Sequence, residues 1–211
     1  MSCQVWTGVK YESFLSAPHP YCQPICLRWA HFLPAVATGP VLTELWLLPL
    51  SWVVHDLEEV LMRDRWMHGR EETLRELADR SRLAERVIAI DSTPTREFVT
   101  AVLAVGSLLF AVTVVATQRP TGVWALLFAV FLGGYFLHAF LHVGQSVLLR
   151  GYTPGVVTAV GVVVPVSAYL YRLLFETGIL DGRLAILTAL LGIVVFFPVV
   201  LGAHRLASLR R

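Results

Sequence analysis

Trp52-Val53-Val54-His55-Asp56-Leu57-Glu58-Glu59 sets an imidazole and three carboxylic acids inside a segment otherwise apolar enough to enter a bilayer. A charged side chain at membrane depth costs from about 3 to about 17 kcal/mol, depending on how far it can snorkel or draw in water. Four ionisable groups within five residues therefore need a compensating partner, either a metal ion or a shared proton. The stretch marks both a membrane domain and its candidate functional site.

The composition agrees. Of the 211 residues, 56% are hydrophobic and 15% charged, against about 25% charged in a soluble domain. Mean hydropathy is +0.66. The net charge of +2 gives no reason to expect a nucleic-acid partner, because the arginines lie at span ends and interleave with acids. Lys10 is the only lysine beside sixteen arginines, a bias expected of a GC-rich prokaryotic genome. Cys3, Cys22 and Cys26 all precede the first apolar segment. Cys22 and Cys26 have no second pair to complete a zinc site and read as incidental thiols.

Residues 1–40 carry Pro18, Pro20, Pro24, Pro34 and Pro40 and hold no sustained period. They read as an irregular tail ahead of a membrane domain over 41–211. Ala35-Val36-Ala37 resembles a signal-peptidase site, but no charged region followed by an apolar run precedes it. The tail is either external or upstream sequence from a mis-assigned start, since Val41-Leu42-Thr43-Glu44-Leu45-Trp46 would make a natural beginning.

About 20 apolar residues cross a bilayer as a helix. Five such spans are expected, near 42–62, 97–117, 122–149, 154–175 and 183–206. The fourth opens with Pro154 at a first-turn position, where a missing N–H costs nothing. The fold class is thus all-α, a polytopic bundle of about five transmembrane helices with one amphipathic cytoplasmic helix. The connection 63–96 holds Arg63, Arg65, Arg70, Arg75, Arg80, Arg82, Arg86 and Arg96. Arginine-rich loops stay inside, so this loop is cytoplasmic, as are Arg150 and the Arg205/Arg210/Arg211 end. The chain is expected in the cell membrane of a prokaryote with its N-terminus outside and its C-terminus inside. Within the loop, Leu74, Leu77, Ser81, Ala84 and Ile88 repeat at helical spacing, which predicts a helix over 70–88. Glu71–Arg75 and Glu76–Arg80 form i,i+4 pairs along it. It lies on the inner membrane surface or spans the loop as a solvated linker.

With His55 as the zero of rotation and ~100° per residue, Glu58 falls near −60°, Glu59 near +40°, Ser51 near −40° and Glu44 near −20°. His55, Glu58 and Glu59 can converge on one point. Asp56, about 100° away, reads as a partner of the ligands or faces the inner surface. The third span supplies Gly133-Gly134-Tyr135-Phe136-Leu137-His138-Ala139-Phe140-Leu141-His142. His138 and His142 stand four apart, the spacing by which two imidazoles of one helix face bind one metal. Tyr135 and Gln145 share that stripe. Gly133 and Gly134 allow a neighbouring helix to come close. His55 lies eight residues before Arg63 and His142 eight before Arg150, which puts both sites ~12 Å above the inner boundary on parallel helices. Two polar clusters at one depth can meet.

The expected centre is a divalent metal ion, zinc, iron or manganese, bound by His55, Glu59, His138 and His142, with Glu58 a further candidate ligand; the same five residues could instead hold two metals bridged by a carboxylate. Glu58 or Glu59 would serve as general base, with Asp56, Tyr135 and Gln145 behind the ligands. A His/Glu proton relay uses the same residues. Arg150 and Tyr152, at headgroup level, could hold a phosphate or lipid headgroup, or serve only as anchors. Thr158, Gly161 and Pro165 give the fourth span a small or polar face. Arg172 and Glu176 read as a structural ion pair, and Trp46 and Trp124 as interfacial anchors.

His55-Asp56-Leu57-Glu58-Glu59 resembles the signature of the HXXEE-motif membrane protein family, and His138-Ala139-Phe140-Leu141-His142 and Arg150-Gly151-Tyr152-Thr153-Pro154-Gly155 are similar to that family too. By span pattern the resemblance covers residues from about 42 to 206 and implies a membrane protein with no assigned reaction. Glu58-Glu59-Val60-Leu61-Met62-Arg63 also fits the Glu-Glu-x-x-x-Arg motif of the CAAX-processing and bacteriocin-immunity intramembrane proteases. Here, however, Gly134 stands where that family has phenylalanine, and both histidines share one helix.

The function expected is a metal-dependent membrane enzyme, hydrolytic or oxidative, acting on a membrane lipid or apolar small molecule. The alternatives are a proton-coupled transporter and a membrane interaction protein that uses the same buried polar groups.

Overall fold

The computed structural model describes residues 43–82, 85, 88 and 93–209, which belong to one compact unit, Ala35–Arg211. The tail 1–40 with its cysteines, and Arg210 and Arg211, lie outside the described residues. All regular structure among the described residues is helical: α1 (Leu47–His68), α2 (Glu71–Arg80), α3 (Thr95–Gln118), α4 (Gly122–Leu148), α5 (Val156–Glu176) and α6 (Gly182–Ser208).

Helices α3, α4, α5 and α6 are each long and apolar enough to cross a membrane. This is a helical membrane protein. The expected five spans resolve into those four and α1, whose 22 residues match a bilayer in length but whose Asp56, Glu58, Glu59 and Arg63 set it apart in composition. It resolves the conflict by facing. His55 and Asp56 are buried, while Val53, Val54, Leu57 and Leu61 on the opposite side are exposed. That distribution turns the polar stripe into the bundle and leaves the apolar stripe on the outside.

Three boundaries differ from expectation, each for a local reason. Helix α1 runs on to His68, because no glycine or proline interrupts Arg63-Asp64-Arg65-Trp66-Met67-His68 before Gly69. The helix expected over 70–88 breaks at Ser81, which is extended (φ −150°, ψ 121°). Its carbonyl accepts from Glu85 N, so Ser81 opens a new turn, where serine is favoured over a helix interior. Pro154 does not sit in the first turn of α5. Gly155, at φ +83°, holds Pro154 in the preceding turn, and α5 begins at Val156. A π-helical turn, Ala159–Val163, follows and shifts the register ahead of Pro165; Gly161 meets no neighbour.

The bundle is held by close helix approaches. A Cβ on Gly192 of α6 would fall on the Gly134 amide nitrogen and 2.6 Å from the Val130 carbonyl oxygen. One on Gly134 would come within 2.8 Å of Phe196 Cβ. Gly133 and Gly134 therefore provide the close approach expected of them, and the partner is α6. Helix α3 packs on α1 where Gly106 leaves room for Trp52. Arg63, 5% exposed, closes the end of that interface. It donates to Asp64 (2.9 Å) and to the Thr93 carbonyl (3.0 Å), and its guanidinium stands 4.2 Å over the Phe98 ring. The Thr95 hydroxyl and the Arg63 guanidinium both donate to the Asp64 carboxylate. Arg172 and Glu176 pair at 2.7 Å as expected.

Candidate metal centre

Helices α1 and α4 bring together His55, Glu59, His138 and His142, and one ligand atom of each lies within 4.8 Å of all the others. The three imidazoles stand nearly perpendicular to one another. Ring centroids are 4.5 Å apart for His138–His142, 4.8 Å for His55–His142 and 5.5 Å for His55–His138. His55 and His142 are buried.

Hydrogen bonds set the orientation of two rings. A carbonyl can only accept, so His142 Nδ1 carries the proton in its 3.0 Å bond to Pro154. In that neutral tautomer Nε2 presents a lone pair. It lies 2.9 Å from His138 Nε2 and 3.1 Å from Glu59 Oε1. His55 Nδ1 lies 2.9 Å from Thr158 Oγ1, while its Nε2, fully buried, has no hydrogen-bond partner. A carboxylate oxygen and an imidazole lone pair repel at such a distance unless a proton or a cation lies between them. Tetrahedral zinc with bonds of 2.0–2.1 Å has ligand atoms about 3.4 Å apart. The separations here bracket that value, so the donors fit a small divalent ion with modest side-chain adjustment. The set of nitrogens and one carboxylate, with no thiolate, suits zinc, iron or manganese.

Aromatic side chains seal one side. The His138 ring is 5.3 Å from Phe196 and stacks on Trp52 at 6.4 Å. Tyr135, fully buried, has its ring 5.5 Å from Trp52 and 6.1 Å from His55. The other side is the Tyr152–Thr158 turn. Gly155 leaves no room there: a Cβ would lie 2.8 Å from His142 Cε1 and 3.1 Å from Glu59 Cγ.

The remaining candidates divide. Glu58 receives hydrogen bonds from the Thr158 amide (2.7 Å), the Thr158 hydroxyl (2.6 Å) and Tyr152 (2.8 Å). Tyr152 is thereby tied to the site, and its phenol is pushed up to about 12 by desolvation and Glu58. Asp56 is buried near Glu59, with Oδ2 unpartnered. Gln145 makes no side-chain hydrogen bond to the cluster, and Arg150 is exposed in the turn after α4 with φ +50°. Thr158, Pro154, Gly155, Trp52 and Phe196 were not singled out as site residues. For Thr158 the polar face of the fourth span was a signal; for Trp52 it was the spacing of three before His55; for Phe196 there was none. Arg63 does not turn to Glu59, as an extension of a Glu-Glu-x-x-x-Arg site would suggest, but to Asp64 and Thr93.

Fold and site together define a helical membrane protein with a buried histidine–carboxylate cluster between helices. The model of a family described as "Protein of unknown function with HXXEE motif" matches residues 46–170. The chain belongs to that family, and His55, Glu58 and Glu59 are its motif residues here. No curated protein and no solved structure matches the chain.

Proposed function

We propose that this protein is a metal-dependent membrane enzyme in which His55, His138, His142 and Glu59 bind one divalent ion. The observation that carries this reading is the convergence of four ligand atoms from two helices within 4.8 Å. Such an ion supplies Lewis-acid chemistry or an activated water at neutral pH. The histidines hold the centre; Glu59 completes the donor set or accepts a proton beside it. Trp52, Tyr135 and Phe196 exclude water from one side, which strengthens every electrostatic contact within. Lipid-facing apolar side chains on α1 and the cluster's depth favour a membrane lipid or other apolar substrate, acted on by hydrolysis or oxidation. The arginine distribution favours a site towards the cytoplasmic half of the membrane, with the N-terminus outside.

Elemental analysis of detergent-purified protein tests the reading. About one equivalent of metal is expected, lost in His138→Ala and in His55→Ala. Metal-free wild-type protein after loading and desalting would sink it. The close His138–His142–Glu59 contacts also suit a proton path, which makes a proton-coupled transporter the second reading. Proton flux in vesicles, without bound metal and abolished by Glu59→Gln, would favour that reading.

A further inference from the structure

The two site histidines that are hydrogen-bonded from outside the cluster, His55 and His142, are both held by one short segment, Tyr152–Thr158, through groups that are not ligands. His142 is held by the Pro154 carbonyl. His55 is held by Thr158, and the direction of that bond follows from counting protons. The Thr158 hydroxyl has a single proton. Glu58 Oε2, at 2.6 Å, is its near acceptor, and the Gly155 carbonyl is at 3.3 Å. With its proton given to Glu58, Thr158 Oγ1 can only accept from His55 Nδ1–H. The order is therefore imidazole N–H to hydroxyl to carboxylate, and it leaves the buried, unpartnered His55 Nε2 as the lone pair. Glu58 takes two further donors, the Thr158 amide and the Tyr152 hydroxyl. A carboxylate with three donors on its two oxygens is a poor base and a poor ligand.

We infer that Glu58 is a positioning residue that acts through Thr158 to fix His55 with Nδ1 protonated and Nε2 turned to the metal centre. The inference rests on the metal-centre reading and divides the motif's two glutamates. Glu59 belongs to the centre, and Glu58 holds it from behind. Carboxylates that orient a metal-bound histidine set its tautomer and basicity, and their loss typically costs about 10–100-fold in metal affinity. Here the link is one hydroxyl longer, so the weight falls on Thr158. A simple helix-to-helix tie between α1 and α5 would predict lost stability with an unchanged centre.

Cobalt titration separates the two, with the visible absorption of the bound ion as the signature, on wild type, Thr158→Val and Thr158→Ser. Thr158→Val keeps the shape and removes the hydroxyl. It should bind cobalt about 10–100-fold more weakly with a shifted spectrum, and Thr158→Ser should restore both. If the valine variant misfolds, Glu58→Gln, which removes the charge at the end of the relay, should weaken binding in the same direction. Histidine 15N shifts report the tautomer with no ion present. His55, assigned by comparison with His55→Gln, should be protonated at Nδ1 in wild type and a mixture in Thr158→Val. Unchanged affinity, spectrum and tautomer in Thr158→Val overturn the inference. A wild type that takes up no cobalt, yet loses the Nδ1–H tautomer on Thr158→Val, overturns the metal reading and leaves the positioning standing.

Discussion

At the scale of single residues, the motif's two adjacent glutamates do different work. They are about 100° apart on α1. One approaches His142 at 3.1 Å; the other is enclosed by Thr158 and Tyr152. Glu59→Gln should reduce metal affinity by well over 10-fold, because a charged donor is replaced by a neutral one, while Glu58→Gln should keep an ion with weakened binding. Isothermal titration of both variants with zinc checks this, and a loss in Glu58→Gln larger than that in Glu59→Gln would contradict the division. Rotational position alone gave both glutamates to one face, and nothing in the sequence separated them. What separates them is Thr158, a hundred residues away and delivered by the turn at Gly155. No periodicity argument reaches across that distance.

The elements hold these residues by close backbone approach. The histidines at 138 and 142 were legible because an i,i+4 pair has a fixed geometry on any helix. Their meeting with His55 was expected from equal depth, counted back from Arg63 and Arg150; the meeting is observed, but Arg63 lies inside α1 rather than at its end, so that count did not carry it. The packing that makes the meeting firm was only half legible: Gly133 and Gly134 announced a close neighbour but not which helix. Gly192→Ala should destabilise the α4–α6 pair by about 1–3 kcal/mol, the usual cost of overpacking, because its Cβ would meet backbone rather than a side chain that can turn away. Thermal unfolding in detergent should show the loss, with metal content retained in the folded fraction. Gly155→Ala should strike the site as well as the backbone. The left-handed backbone adds about 1–2 kcal/mol of strain, and the methyl would press on the His142 ring and Glu59. We expect a folded protein whose metal affinity falls more than its melting temperature. A variant with normal metal binding would show that the turn does not frame the site.

On the scale of the whole molecule, the class of fold follows from composition and span length, and four of the expected spans stand as long apolar helices. The first is harder to read, because the residues that make it interesting also lower its hydropathy. Only its packing explains how it is accommodated, with polar groups buried and Val53, Val54, Leu57 and Leu61 turned out. The rule that arginine-rich loops stay inside gives an orientation, though Arg63, counted there as a loop charge, is buried in the α1–α3 interface. Seven other arginines of that connection remain, so the expected orientation is unchanged. Single cysteines introduced at Gly69 and at Thr121 in a background lacking Cys3, Cys22 and Cys26 should differ in labelling by a membrane-impermeant maleimide. Thr121 should label in intact cells and Gly69 only after lysis, and the opposite pattern would invert the topology.

A metal ion held by imidazoles and a carboxylate between α1 and α4 is the centre of the proposed function. X-ray absorption spectroscopy of the purified, metal-loaded protein reads that directly. Nitrogen and oxygen neighbours are expected at about 2.0–2.1 Å, with the outer-shell scattering of two to three imidazoles, all lost in His138→Ala. Sulfur scattering at about 2.3 Å, which would place the ion on the cysteines of the tail, or an ion surrounded by water alone, would contradict it.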